Sequence, residues 1–159
     1  MNNIFIGIGD FSFSKNPNDI LKAMGLGSCV SIIAYNKKTQ FGGLMHIALP
    51  DSTVNTAKSK EKPGYFADTA IKILLDNIKK NKQPINQLWI KLVGGANVLK
   101  TNTNFDIGKR NALTIKKLLW KNNLGVIKED IGGTMPRTVQ FSISTGQIII
   151  NSGQKKWII

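Results

Sequence analysis

A chain of 159 residues that is 42% hydrophobic and 19% charged is long enough to bury a real core and has the balance of a globular protein. No run reaches the ~18 consecutive apolar residues needed to span a bilayer, so direct membrane insertion is excluded as an expectation. The net charge of +13 argues little for nucleic acid, because only Arg110 and Arg137 of the 22 basic residues are arginines, and readers of bases and phosphates favour arginine forks.

In chain order, Ile4-Phe5-Ile6-Gly7-Ile8 reads as a first strand ending in a Gly9-Asp10 turn. Asn16-Pro17-Asn18-Asp19 breaks the chain before the segment Gly25-Leu26-Gly27-Ser28-Cys29-Val30. Two apolar stretches, Ser31-Ile32-Ile33-Ala34-Tyr35 and residues 41–49, flank a polar break at 36–40 and form a hairpin. Residues 50–63 are polar and read as an exposed loop. From Tyr65 to about Lys80, Ala67, Ile71, Leu74, Leu75 and Ile78 share one face at helical spacing. Leu88-Trp89-Ile90-Lys91-Leu92-Val93 reads as a buried strand stopped by Gly94-Gly95.

A second helix is expected from about Lys109 to Asn122, burying Ala112, Ile115, Leu118 and Leu119, with Gly125 beyond its end. Val126-Ile127 opens a short strand before Gly132-Gly133. The last predicted unit is a hairpin of residues 138–143 and 147–150 around Thr145-Gly146. Hairpins around two helices make an α+β protein with a mixed or antiparallel sheet, one domain over residues 1–159. Trp89, Trp120 and Phe141 read as core or near-core residues.

Cys29 and His46 are the only cysteine and the only histidine. One unpaired thiol without a secretory leader points to a reducing cytoplasm and excludes a disulfide within the chain. One thiol and one imidazole do not make a structural zinc set of four. If the hairpin is symmetric about Lys37-Lys38, Cys29 and His46 are directly opposed, with Cβ atoms ~4.5–5.5 Å apart; a bulge at Gly42-Gly43 would shift that register. A thiol beside an imidazole is an activated nucleophile. Against this stands the plainer reading, a small buried hydrophobe and a satisfied polar residue. Gly25 and Gly27 favour the reactive reading, since they let backbone N–H groups near Gly27 and Ser28 face an oxyanion beside the sulfur.

Six ordered stretches resemble one family over nearly the whole chain. They are Gly25-Leu26-Gly27-Ser28-Cys29-Val30, Gly43 through His46 to Ser52, Tyr65 through Asp68-Thr69-Ala70, Gly94-Gly95-Ala96, Ile107-Gly108 with Arg110-Asn111, and Asp130-Ile131-Gly132-Gly133 with Arg137-Thr138-Val139. The family is CheD, the chemoreceptor glutamine deamidases of bacterial chemotaxis. The resemblance implies packed β-sheets with outer helices, as in bacterial toxin-type cysteine deamidases. It also implies hydrolysis of receptor glutamines to glutamate in the cytoplasm, with Cys29 as nucleophile, His46 as base and no metal or organic cofactor. Its implied partners are the cytoplasmic helices of chemoreceptors and a CheC-type phosphatase.

One position departs from the family. The threonine expected six residues before the cysteine is Ala23, which cannot hydrogen-bond an imidazole. Either another group (a backbone carbonyl, Thr134 or Ser28) orients His46, or the enzyme is slow. The alternative reading is a regulatory protein that binds the phosphatase and has little catalysis left.

Overall fold

Val30 to Asn36 is apolar almost throughout because the strand it forms is covered on both faces, and every one of its residues is buried. The computed structural model describes residues 1–100, 102 and 105–159. Its elements are β1 (Asn2–Phe5), β2 (Phe11–Ser14), β3 (Asp19–Leu26), β4 (Val30–Asn36), β5 (Phe41–Ile47), α1 (Thr56–Glu61), α2 (Ala67–Lys80), β6 (Trp89–Gly94), α3 (Ile107–Lys121), β7 (Val126–Ile131), β8 (Arg137–Ser142), β9 (Ile148–Ser152) and β10 (Lys155–Ile158).

The strands form two mixed five-stranded sheets, ordered β1-β3-β8-β9-β10 and β2-β5-β4-β6-β7. Parallel pairs occur at β1/β3 and β6/β7, and the other neighbours are antiparallel. One core lies between the sheets, where Ile33, Tyr35, Leu44 and Val93 meet Leu21, Ala23, Val139 and Phe141. The other lies where Ile32, Ala34, Met45 and Leu92 meet α2 and α3 through Leu74, Ile78, Ile115 and Leu119. The α+β architecture of packed sheets with outer helices is therefore as expected. Among the described residues no helix is long and apolar enough to cross a membrane.

Local chemistry accounts for several element ends. Asp106 caps α3, its carboxylate accepting from the Lys109 N–H at 3.0 Å. Asp68 sits in the first turn of α2 and Lys79 and Lys80 in its last, matching the helix dipole. Gly43 leaves room for the Phe13 ring, which a Cβ there would meet at 2.2 Å. The β4/β5 ladder runs through Gly42 and Gly43 without a bulge.

Four expectations need correction. The first strand ends at Phe5, because from Ile6 the chain crosses to the other sheet. Residues 50–63 are not a plain loop: Ser52–Val54 and Pro63–Tyr65 are 3-10 turns, and Asn55 caps α1 through the Lys58 N–H. The strand at Val126 continues to Ile131 through Lys128, Glu129 and Asp130; as an edge strand it leaves Lys128 and Glu129 in solvent, while Asp130 is part-buried and accepts from Arg137 and the Trp157 indole N–H. Trp120 is 80% exposed, since it lies one helical step outside the stripe of Ala112, Ile115 and Leu119. Phe141 is fully buried and Trp89 packs against it, as expected.

Candidate active site

Two chain crossovers between the sheets meet at one end of the sandwich. The first runs from β1 to β2 through residues 6–10; the second runs from β3 to β4 through Gly27, Ser28 and Cys29. The second is prepared by a bulge between Ala23 and Leu26, with Gly25 at φ +64°, a backbone conformation that suits glycine. Leu26 thereby returns to the core and the next three residues turn toward the other sheet.

The β4/β5 register differs from the symmetric expectation. Val30 pairs with Ile47, Ser31 with His46 and Asn36 with Phe41, so His46 faces Ser31 rather than Cys29. The cause is a four-residue turn: the Asn36 carboxamide oxygen accepts from the Lys38 N–H at 2.9 Å, so Asn36 ends the strand instead of joining the break. The displacement is two residues, and an even shift preserves the face. Cys29 lies just before β4 and packs against the inter-sheet core. It stands diagonal to His46, a relation that in regular strands separates positions by ~7–8 Å, within reach of longer side chains.

His46 is 1% exposed. Its Nδ1 lies 3.1 Å from the carbonyl oxygen of Ile6. A carbonyl only accepts, so Nδ1 carries the proton and Nε2 of the neutral ring presents a lone pair. Nε2 is buried and, among the described residues, has no hydrogen-bond partner. The ring is thus oriented by a backbone carbonyl, and Ile6 is itself anchored because its N–H donates to the Lys22 carbonyl of β3 at 2.8 Å. The strand is pinned at the same place: the His46 N–H donates to Asp10 O, and Gly9 N–H donates to His46 O. Lys62 completes the support through Ile8 O at 2.8 Å and Asp10 at 3.3 Å.

Burial shifts both groups toward neutrality. It pushes the Cys29 thiol above its ordinary value, with the N–H of Cys29 pulling weakly the other way. It holds the His46 imidazole below its ordinary value, opposed by the Ile6 hydrogen bond. At neutral pH the resting pair is therefore thiol and imidazole, not thiolate and imidazolium. Alkylation of Cys29 by iodoacetamide should be slower near pH 7 than that of an ordinary cysteine. Its main rise should come above the usual thiol range, about pH 8.5, and a rate profile from pH 5 to 10 checks this.

The cysteine segment is clamped from three sides. Gly95 N–H donates to Cys29 O and Ala96 N–H to Gly27 O, both at 2.8 Å. A Cβ on Gly94 would meet Cys29 O at 2.3 Å, so that backbone approach requires glycine. Gly27 N–H turns back to Gly25 O. The third clamp was not assigned from sequence: Asn111 of α3, fully buried, donates from Nδ2 to Ser28 O and to Ala48 O, both at 2.9 Å. One side chain thus ties the residue before Cys29 to the strand carrying His46. Its signal was legible, because Asn111 is a polar residue on the same buried stripe as Ala112, Ile115 and Leu119. The Ile6 carbonyl had no such signal, being backbone.

Beside this corner opens a groove of about 430 Å³, lined by Gly27 and Ser28 on one side and by Ala96, Ile107 and Pro136 elsewhere. Among the described residues no three His, Cys, Asp or Glu side chains gather into a metal-ligand set.

The family model for CheD, described as CheD chemotactic sensory transduction, matches residues 48–152. A probable chemoreceptor glutamine deamidase CheD of Syntrophotalea carbinolica is 38% identical over all of both chains. The chemoreceptor glutamine deamidase CheD of Thermotoga maritima is 36% identical over 91% of this chain and 88% of its own. A probable homologue of the same name from Methanococcus vannielii is 40% identical over 94% and 95%.

Proposed function

This chain belongs to the CheD family, and we propose that it is a cytoplasmic protein-glutamine deamidase whose residues 1–159 act as one catalytic domain. It hydrolyses glutamine side chains on the cytoplasmic helices of chemoreceptors to glutamate. The observation that carries this reading is the inter-sheet corner: a half-buried thiol on the same face as an imidazole whose tautomer leaves Nε2 free.

In the reaction, Nε2 of His46 takes the thiol proton as the Cys29 sulfur adds to the amide carbon. Backbone N–H groups of Ser28 and Cys29 hold the oxyanion, and Gly27 shapes the turn that presents them. The imidazolium then protonates the leaving nitrogen and ammonia departs, leaving a thioester on Cys29. Water hydrolyses the thioester, giving its proton to His46, and the thiol is restored. Since the resting pair is neutral, His46 acts as a general base during attack rather than by storing a thiolate. No metal or organic cofactor enters the scheme.

Ala23 favours the second reading, a partner of a CheC-type phosphatase with residual catalysis. The Ile6 carbonyl weighs against it, because His46 is oriented without the family's threonine. Ala23→Thr is accordingly expected to give no gain in turnover. Ala23 is fully buried between the sheets, so the added atoms should cost about 1–2 kcal/mol of stability through crowding. Turnover and urea midpoints of the two proteins check this, and a several-fold faster variant would contradict it.

The test of the function is incubation with a receptor cytoplasmic fragment followed by peptide mass analysis. Deamidation adds about one dalton at each target glutamine. Absence of that gain at every glutamine overturns the enzyme reading, and phosphatase binding without any gain would establish the second.

A further inference from the structure

Ser31 is buried completely, and among the described residues its Oγ has no hydrogen-bond partner. It pairs directly with His46, whose Nε2 is likewise buried and unpartnered. Directly opposed residues in an antiparallel ladder project their side chains to the same face. Cys29 lies two residues before Ser31 and packs against the inter-sheet core that this face of β4 covers. Buried polar groups almost always find partners, so two orphans opposite one another beside a nucleophile call for an explanation.

We propose that the Ser31 hydroxyl is a further catalytic group, which bridges Cys29 and His46 and relays the proton between them. This rests on the Cys29–His46 reading above. Among the described residues Ser31 Oγ bonds neither Nε2 nor the thiol in this structure; a hydroxyl has one proton and two lone pairs, and a turn of χ1 to another staggered rotamer lets it donate to Nε2 while accepting from the thiol. During attack the thiol proton passes to Ser31 Oγ as the Ser31 proton passes to Nε2. The sulfur keeps the electron pair and forms the bond to the amide carbon, and Ser31 ends as it began, a neutral hydroxyl. Ile6 O fills the other ring nitrogen, which leaves Nε2 as the only imidazole atom open to Ser31. Asp10 and Lys62 are the charged groups that act on the ring, and both remain in every variant below.

Ser31→Thr and Ser31→Val test this, since they are equal in size and differ in the hydroxyl. Removing a positioned proton-transfer group is expected to lower kcat about 10²-fold, with KM changing little. Ser31→Val should show that loss and Ser31→Thr should recover most of it. Iodoacetamide alkylation of Cys29 provides a readout independent of receptor turnover. The parent and Ser31→Thr should retain a shoulder of reactivity below the thiol's own titration, supplied by neutral His46. Ser31→Val should lose the shoulder and follow the thiol alone. The proposal is overturned if Ser31→Val keeps the parent profile, or if both variants lose the shoulder equally, which would make the effect one of volume. Should the receptor assay detect no deamidation at all, the alkylation profiles still decide the role of Ser31.

Discussion

Cys29→Ala is expected to abolish receptor deamidation, lowering it by at least about 10⁴-fold, the scale of loss when a covalent nucleophile is removed. The substitution deletes one half-buried atom at the edge of the inter-sheet core, so the fold should survive with a stability loss of about 1 kcal/mol. The backbone contacts that hold the segment come from Gly95 and Ala96 and do not involve the sulfur. Product formation by peptide mass and thermal midpoints by circular dichroism check the two halves separately. A folded Cys29→Ala protein that deamidates at the parent rate would remove Cys29 from the chemistry.

Asn111→Ala should have the second largest effect, and it should act on stability and turnover together. The buried Ala48 O and the part-buried Ser28 O lose their donor at once. Leaving such groups unsatisfied is expected to cost about 2–4 kcal/mol in total. Turnover should fall about 10²-fold, because the clamp that holds the nucleophile segment against the histidine strand is gone, and displacements of about 1 Å have effects of that size. Asn111→Asp preserves the shape but has no N–H donors, and burial favours its neutral form with a single O–H donor, so it can satisfy one of the two carbonyls and should fall between Asn111→Ala and the parent. Urea midpoints and turnover of both variants test this; parental turnover in Asn111→Asp would show that the clamp does not align the site.

The contrast between what was legible and what was not follows the kind of interaction involved. Helices α2 and α3 are legible through apolar residues at spacings of three and four, and β4 through an apolar run interrupted only by Ser31 before Asn36 ends it, because those patterns are imposed by the layers that cover them. Strands β2 and β3 carry no such pattern. Phe11–Ser14 is four residues long, and Asp19–Leu26 contains Asp19, Lys22 and Gly25. Asp19 is held by Asn2, Ser14 and Asn16, a tertiary arrangement that composition cannot announce. At the site, Cys29 and His46 were identifiable as residue types and as part of ordered motifs. Their register was not, because it depends on which residue ends the strand, and Asn36 does so through a side-chain hydrogen bond. The group that orients His46 was open among several possibilities at the level of sequence, since a carbonyl from a distant crossover carries no residue signature.

The central claim is that glutamine hydrolysis passes through an acyl group carried on Cys29. Hydroxylamine added during turnover of a receptor fragment tests this most directly, because a thioester is intercepted by the amine. The account predicts that the parent protein then yields the γ-hydroxamate at target glutamines, one oxygen heavier than the amide, alongside glutamate. It predicts neither product above background from Cys29→Ala. Glutamate as the sole product with the parent, or hydroxamate formed equally well by Cys29→Ala, would contradict it.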